Sequence, residues 1–171
     1  MRAEVRNLFL VAKAIQEEVH QSLGPPEEGL RAETHRVIPM SIVRGTRGYI
    51  EKVANQINGC YEKGWYDACA VMTRRLLETL VIEAFERHNI ASRIKNAQGD
   101  FLYLGDLIDR CLKEASWNLA RNIKQAMPKL KEVGDKSAHS RRYVAQRGDI
   151  DPLAQDVRSV VQELVYLAGL K

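Results

Sequence analysis

Lys131, Asp135 and His139 stand at four-residue intervals, and Arg141 and Arg142 follow directly behind the histidine. On a helix this spacing stacks the first three side chains one turn apart on one face. A carboxylate one turn from an imidazole favours the imidazolium and orients the ring, and neighbouring guanidinium groups can neutralise a phosphate. Together these groups suit phosphodiester binding. With a 2′-hydroxyl present, the histidine could take its proton or protonate the leaving oxygen while a guanidinium stabilises the pentacovalent state. The same spacing has a plainer meaning. An Asp–His pair one turn apart is commonly a surface interaction that contributes about 0.3 kcal/mol to the helix.

Charge along the chain points to the same region. Lys and Arg number 26 against 22 acidic residues, a formal charge of +4, which permits an anionic partner without demanding one. From Lys136 to Arg147 the chain carries Lys136, Arg141, Arg142 and Arg147 with no acid. From Thr34 to Ile50 it carries Arg36, Arg44 and Arg47, again with no acid. Both stretches are candidate anion-facing surfaces, with a solvated loop as the commoner alternative. Arg74 and Glu78 are spaced for an ion pair on one helix, as are Glu83 and Arg87, which read as solvated. Trp65 and Tyr66 could stack on a base, but aromatic residues at that place more often staple a helical hairpin into the core.

Other chemistries find little support. His20, His35, His88 and His139 lack metal-ligand spacing, and Cys60, Cys69 and Cys111 contain no C-x-x-C pair, so neither a metal nor a cofactor is expected. No phosphate-binding P-loop, dinucleotide fingerprint or nucleophile elbow occurs. The odd cysteine count in apolar surroundings reads as buried thiols in a reducing, cytoplasmic compartment. No apolar run is long enough to span a bilayer, and none is expected to act as a secretory signal.

The elements that must position these groups are helical throughout. At 171 residues, 45% hydrophobic and 28% charged, the chain has the size and composition of one globular domain. Residues 1–23 carry Val5, Leu8, Phe9, Ala12, Ile15 and Val19 as an amphipathic stripe that must be covered, by this chain or by a second copy. Residues 24–47, beginning Gly24-Pro25-Pro26, read as a connector. Residues 48–171 read as a helical bundle. Val53, Ile57 and Cys60 mark its first helix, broken at Gly64, and Cys69, Met72, Leu76 and Leu80 mark a long central helix from Trp65 to His88. Leu104, Leu107, Ile108 and Cys111 mark a short third helix. Ser116 is the expected cap of the next, with a kink or fresh turn at Pro128. A last helix opens at Asp149 or Asp151 with Pro152 and ends by Gly169. The fold class is all-α, with four to five core helices and an additional N-terminal one.

Three stretches carry a resemblance: Tyr61-Glu62-Lys63-Gly64-Trp65-Tyr66-Asp67-Ala68-Cys69-Ala70, Arg74-Arg75-Leu76-Leu77-Glu78, and Leu130-Lys131-Glu132-Val133-Gly134-Asp135-Lys136-Ser137-Ala138-His139. In these the chain resembles the HEPN superfamily of small helical bundles over roughly residues 48 to 171, and within it a bacterial branch of unassigned function often found beside restriction or helicase modules. The resemblance implies a homodimer, an RNA or nucleotide as ligand, and an operon-encoded protein as partner. Active members share Arg-x-x-x-x-His and cut RNA without metal, at a site built across the dimer. By that match His139 is the catalytic histidine and Asp135 the polar residue, while Gly134 stands where the arginine belongs. Loss of a charge-stabilising group in such a site costs orders of magnitude in rate.

Two consequences follow from this departure. Gly134, Ser137 and Ala138 form a small-residue stripe that suits close helix packing, so Gly134, Arg74 and Glu78 are expected to be structural. Lys136, Arg141, Arg142 and Arg121 are the candidate anion-binding residues. Arg141, Arg142 or Arg121 would have to supply any missing guanidinium. The favoured expectation is a binding or accessory module in nucleic-acid-related or defence biology. A metal-independent endoribonuclease and a structural dimerisation module are the alternatives.

Overall fold

The central helix dictates the architecture. Its buried positions, including Cys69, Thr73, Leu76, Leu77, Leu80, Val81, Ala84 and Phe85, cover more than one side of the cylinder, so neighbours must pack around it. The computed structural model describes residues 37–171. The amphipathic segment 1–23 and the first part of the connector, with Arg36, lie outside the described residues.

The described chain is an all-α bundle: α1 (Met40–Val43), α2 (Gly48–Glu62), α3 (Tyr66–Arg87), α4 (Leu104–Lys113), α5 (Arg121–His139), α6 (Arg147–Ile150) and α7 (Ala154–Leu167). Short 3-10 turns at Ala91–Ile94 and Asp151–Leu153 join them. An isolated Lys95–Phe101 bridge is the sole β pairing among the described residues. Helix α3 packs against α2, α5 and α7, and also meets α4. No helix among the described residues is long and apolar enough to cross a membrane.

The α2–α3 hairpin closes where Gly64 adopts φ +75°, a left-handed conformation that suits glycine. Lys63 N–H donates to Gly59 O (3.0 Å) and Trp65 N–H to Cys60 O (2.8 Å), which satisfies carbonyls at the end of α2. Helices α3 and α5 run antiparallel. Trp117, just before α5, stacks edge-on against Phe85 near the end of α3, with ring centroids 4.6 Å apart. Ala145, just after α5, donates its N–H to Asp67 Oδ1 in the first turn of α3 (2.9 Å).

Several expectations change. The stretch read as a connector contributes Val37, Ile38 and Val43 to the core and contains α1. The buried Asn58 fixes it there, accepting from Ile38 N–H (2.9 Å) and donating to Ile38 O (2.8 Å). Ser116 does not cap α5; its hydroxyl bonds Glu114 (2.8 Å), and the helix starts at Arg121 without a side-chain cap. Pro128 neither stops nor restarts the helix, since α5 runs unbroken from Arg121 to His139. Pro128 and Lys124 are both exposed, so the carbonyl left without a donor by the proline can meet water. The last helix is preceded by a capping box, Gln146 with Asp149, and a 3-10 turn carrying Pro152.

Glu83 and Arg87 are not a solvated pair. Glu83 is buried, accepts a hydrogen bond from the Tyr49 hydroxyl and pairs with Arg47 Nε at 3.0 Å. Arg47 therefore anchors the start of α2 instead of facing an anion. Arg87 lies across Gly169, where an added Cβ would come within 2.6 Å of its Nε. The three cysteines are free thiols, and burial raises Cys69 and Cys111 to about 12.

Candidate functional site

Gly134 sits where α5 crosses α3, and the crossing requires it. A Cβ there would come within 2.7 Å of Arg74 Cβ and 3.1 Å of Ala70 O, contacts that a packed core does not tolerate. The close approach has a direct electrostatic result. The Arg74 side chain lies over Gly134 and its Nε donates to Asp135 Oδ1 at 2.7 Å. The other Asp135 oxygen accepts from Lys131 Nζ. Burial pushes the Asp135 carboxyl up, but the hydrogen bonds and charges of Lys131 and Arg74 outweigh it and hold the group below the ordinary aspartate range.

Asp135 is thus occupied by two cations from opposite sides. It makes no hydrogen bond to His139, so the orienting role expected from the four-residue spacing is not realised in this conformation. His139 ends α5 fully in reach of solvent and has no polar partner among the described residues. Glu78 stands 3.9 Å from Arg74 Nη1, at the edge of ion-pair distance and well behind Asp135 as a partner.

The guanidinium nearest to this part of α5 comes from Arg74 on α3, which bonds Asp135. Neither Arg141, Arg142 nor Arg121 fills that place. Arg121 opens α5 while His139 closes it, which separates them by about 27 Å along the axis of one chain. The spacing of Arg74 and Glu78 could mark a helix-surface pair, but only the α3–α5 register reveals Asp135 as the nearer acid.

The basic stretch from Lys136 to Arg147 divides into paired and unpaired groups. Lys136 Nζ holds Glu132 at 2.7 Å on the same helix. Arg147 Nε lies 3.3 Å from Asp151 Oδ2 and donates to the Tyr61 hydroxyl (3.2 Å), with its guanidinium 5.7 Å from the Tyr61 ring. Arg141 and Arg142 are exposed and have no polar partner among the described residues. They lie on the loop between α5 and α6, held at one end by Tyr143 N–H on Ser140 Oγ (3.2 Å) and at the other by Ala145 N–H on Asp67.

That second tie brings the Ala145 end of the loop to the first turn of α3, two residues along the chain from Trp65. The indole does not staple the hairpin; Trp65 is 62% exposed, while Tyr66 packs on the core and meets Tyr61 edge-on at 5.8 Å. Val144, 64% exposed, adds apolar surface next to the arginines. The result is a corner where His139, Arg141, Arg142 and Trp65 all face water. No family model, curated protein or solved structure matches this chain.

The corner can attract an anion, bond phosphate oxygens through two guanidinium groups and offer a flat aromatic face. It shares no residue with the open cavity of about 650 Å³ between α1, the start of α5 and the end of α7, lined in part by Ser41, Asn122, Gln162 and Tyr166. Among the described residues no three His, Cys, Asp or Glu side chains gather as a metal site.

Proposed function

We propose that this chain is a HEPN-like accessory module that binds nucleic acid through the Arg141–Arg142 corner. One observation carries the reading: the cations of the Lys136–Arg147 stretch that have no acidic or phenolic partner are the ones grouped at a single exposed corner. Lys136 and Arg147 are engaged within the chain. Arg141, Arg142 and His139 remain available at the C-terminal end of α5. A phosphate backbone supplies closely spaced anions that match adjacent guanidinium groups.

The module is expected to work in the cytoplasm, as a homodimer or with an operon-encoded protein in nucleic-acid-related or defence biology. Gly134 is occupied by packing within the chain, so a second subunit would have to use another face. Solution mass tests the homodimer, and a monomer at micromolar concentration removes it.

The binding test is a salt titration of affinity for a mixed-sequence RNA. Arg141→Ala with Arg142→Ala should weaken binding and reduce the dependence of log affinity on log salt by about 1.4 for a single strand. Unchanged affinity and slope would remove this corner from the binding surface.

A metal-independent endoribonuclease is the second reading, favoured by the Arg74 side chain, which crosses Gly134 and brings its guanidinium to Asp135, one turn of α5 before the exposed His139. Its drawback is that Asp135 already neutralises Arg74. If it holds, chelator-treated protein cuts RNA to leave cyclic phosphate ends, and His139→Ala abolishes cutting. Intact RNA after incubation with wild type discards it.

A further inference from the structure

Resting on the proposed nucleic-acid reading, we infer that Trp65 is a base-stacking platform and that the corner therefore takes single-stranded nucleic acid in preference to duplex. An exposed indole beside unpaired guanidinium groups offers two different contacts. Arginine binds phosphate in either a duplex or a single strand, whereas a ring can stack on a base face only where that base has left its own stack. The exposure of the ring thus carries information that the charges do not.

Trp65 is placed firmly. Its N–H donates to Cys60 O (2.8 Å) and its carbonyl accepts from Cys69 N–H (2.9 Å), so the backbone on both sides of the side chain is tied to α2 and α3. Gly64, at φ +75°, turns the chain immediately before it. Tyr66 directs its own ring to the core and to Tyr61, leaving the neighbouring indole outside. With the backbone fixed, only the two side-chain torsions of the indole remain to be ordered when a base stacks on it. The Asp67–Ala145 hydrogen bond, only two residues from Trp65, brings the arginine loop to the same end of α3. That hydrogen bond places the phosphate-binding loop and the exposed indole at the same end of α3, an arrangement that suits a single strand with splayed bases.

The alternative ring environment in this protein provides a built-in control. Trp117 is 7% exposed and packed against Phe85 and His88, so it cannot meet a base without unfolding. The chain has two tryptophans, and their emission can be separated with a single variant.

The test uses the full chain with a mixed-sequence RNA of about 12 nucleotides, the DNA strand of the same sequence, and each strand annealed to its complement. Binding of either single strand should quench tryptophan emission. Trp65→Phe should leave the Trp117 emission and abolish most of that quenching. Trp65→Ala should weaken single-strand binding by about 10-fold, with Trp65→Phe falling between it and wild type. Duplexes should bind more weakly than single strands in wild type and lose little on Trp65→Ala.

Unchanged single-strand affinity in Trp65→Ala, or duplex affinity equal to single-strand affinity in wild type, overturns the stacking role. If Arg141→Ala with Arg142→Ala still weakens binding in that case, the nucleic-acid reading survives alone. Failure of wild type to bind any of these probes overturns both. A change in solution mass on Trp65→Ala with affinity unchanged assigns the ring to contact between copies and also overturns the inference.

Discussion

The α3–α5 crossing and the corner beyond it use the same side-chain types to opposite ends. At the crossing, Arg74 and Lys131 both converge on Asp135, and Gly134 lets the helices approach. At the corner, Arg141 and Arg142 face water with no acid paired to them, at the same end of α3 as an exposed indole. Charges in the first region hold helices in register. Charges in the second leave their interaction energy for something outside the chain. The presence of cations near His139 says less than whether those cations are already engaged.

The largest test of the engaged class lies at Glu83. Arg47→Ala combined with Tyr49→Phe should destabilise the fold by about 3 kcal/mol, because it leaves a buried carboxylate without its cation and hydroxyl partners. Urea unfolding measures the loss. A shift below about 1 kcal/mol would show that Glu83 is not held as described. Gly134→Ala comes next: the helix-propensity gain of about 1 kcal/mol is opposed by overpacking of about 1–3 kcal/mol, so a net loss of stability is expected. A thermal midpoint above wild type would break the account of the crossing.

Titration gives a smaller, signed test. The Asp135 carboxyl is lowered in the fold, so its contribution is present above the ordinary aspartate range and lost as pH falls through its depressed value. Asp135→Asn should remove that part of the acid-side loss; an unchanged acid limb of the stability profile would contradict the pairing of Asp135 with Arg74 and Lys131. Tyr49 runs the other way. Burial, followed by the bond to Glu83, raises it to about 12, so its contribution is full below pH 10 and is lost as pH climbs through 12. Tyr49→Phe should make the alkaline limb less steep. The smallest expected effect sharpens the contrast. Arg141→Ala with Arg142→Ala should change unfolding free energy by less than about 0.5 kcal/mol, and a larger loss would move those arginines into the engaged class.

Much of the fold is legible in the sequence because its signals are periodic. The apolar rows of α2, α3, α4 and α7, and the punctuation at Gly64, Pro152 and Gly169, each act within a few residues. The misread features depend on side-chain partners or exposure that apolar periodicity does not record. Ser116 resembles a cap, but Glu114 captures its hydroxyl. Pro128 resembles a break, but its solvent-facing position spares the helix. Val37 and Ile38 resemble a linker until Asn58, 20 residues from Ile38, holds the backbone against the core. Glu83 looks solvated because its partners are on another helix start.

The candidate site divides in the same way. The grouping of Asp135, His139, Arg141 and Arg142 near one end of α5 follows from proximity in the chain. The diversion of Asp135 toward Arg74 depends on residues 61 positions apart and on a register set by Gly134 packing. The exposure of Trp65 also defeats local reasoning, since Tyr66 and Trp65 are equally plausible staples until the hairpin fixes which ring turns inward.

The antiparallel pairing of α3 with α5 has a consequence for the field at the corner. One helix starts there and the other finishes, so their opposite end charges lie close together and largely cancel at a distance. The local potential is then set by the loop side chains. Its strength can be tuned one guanidinium at a time, by exchange or covalent modification, without altering either helix.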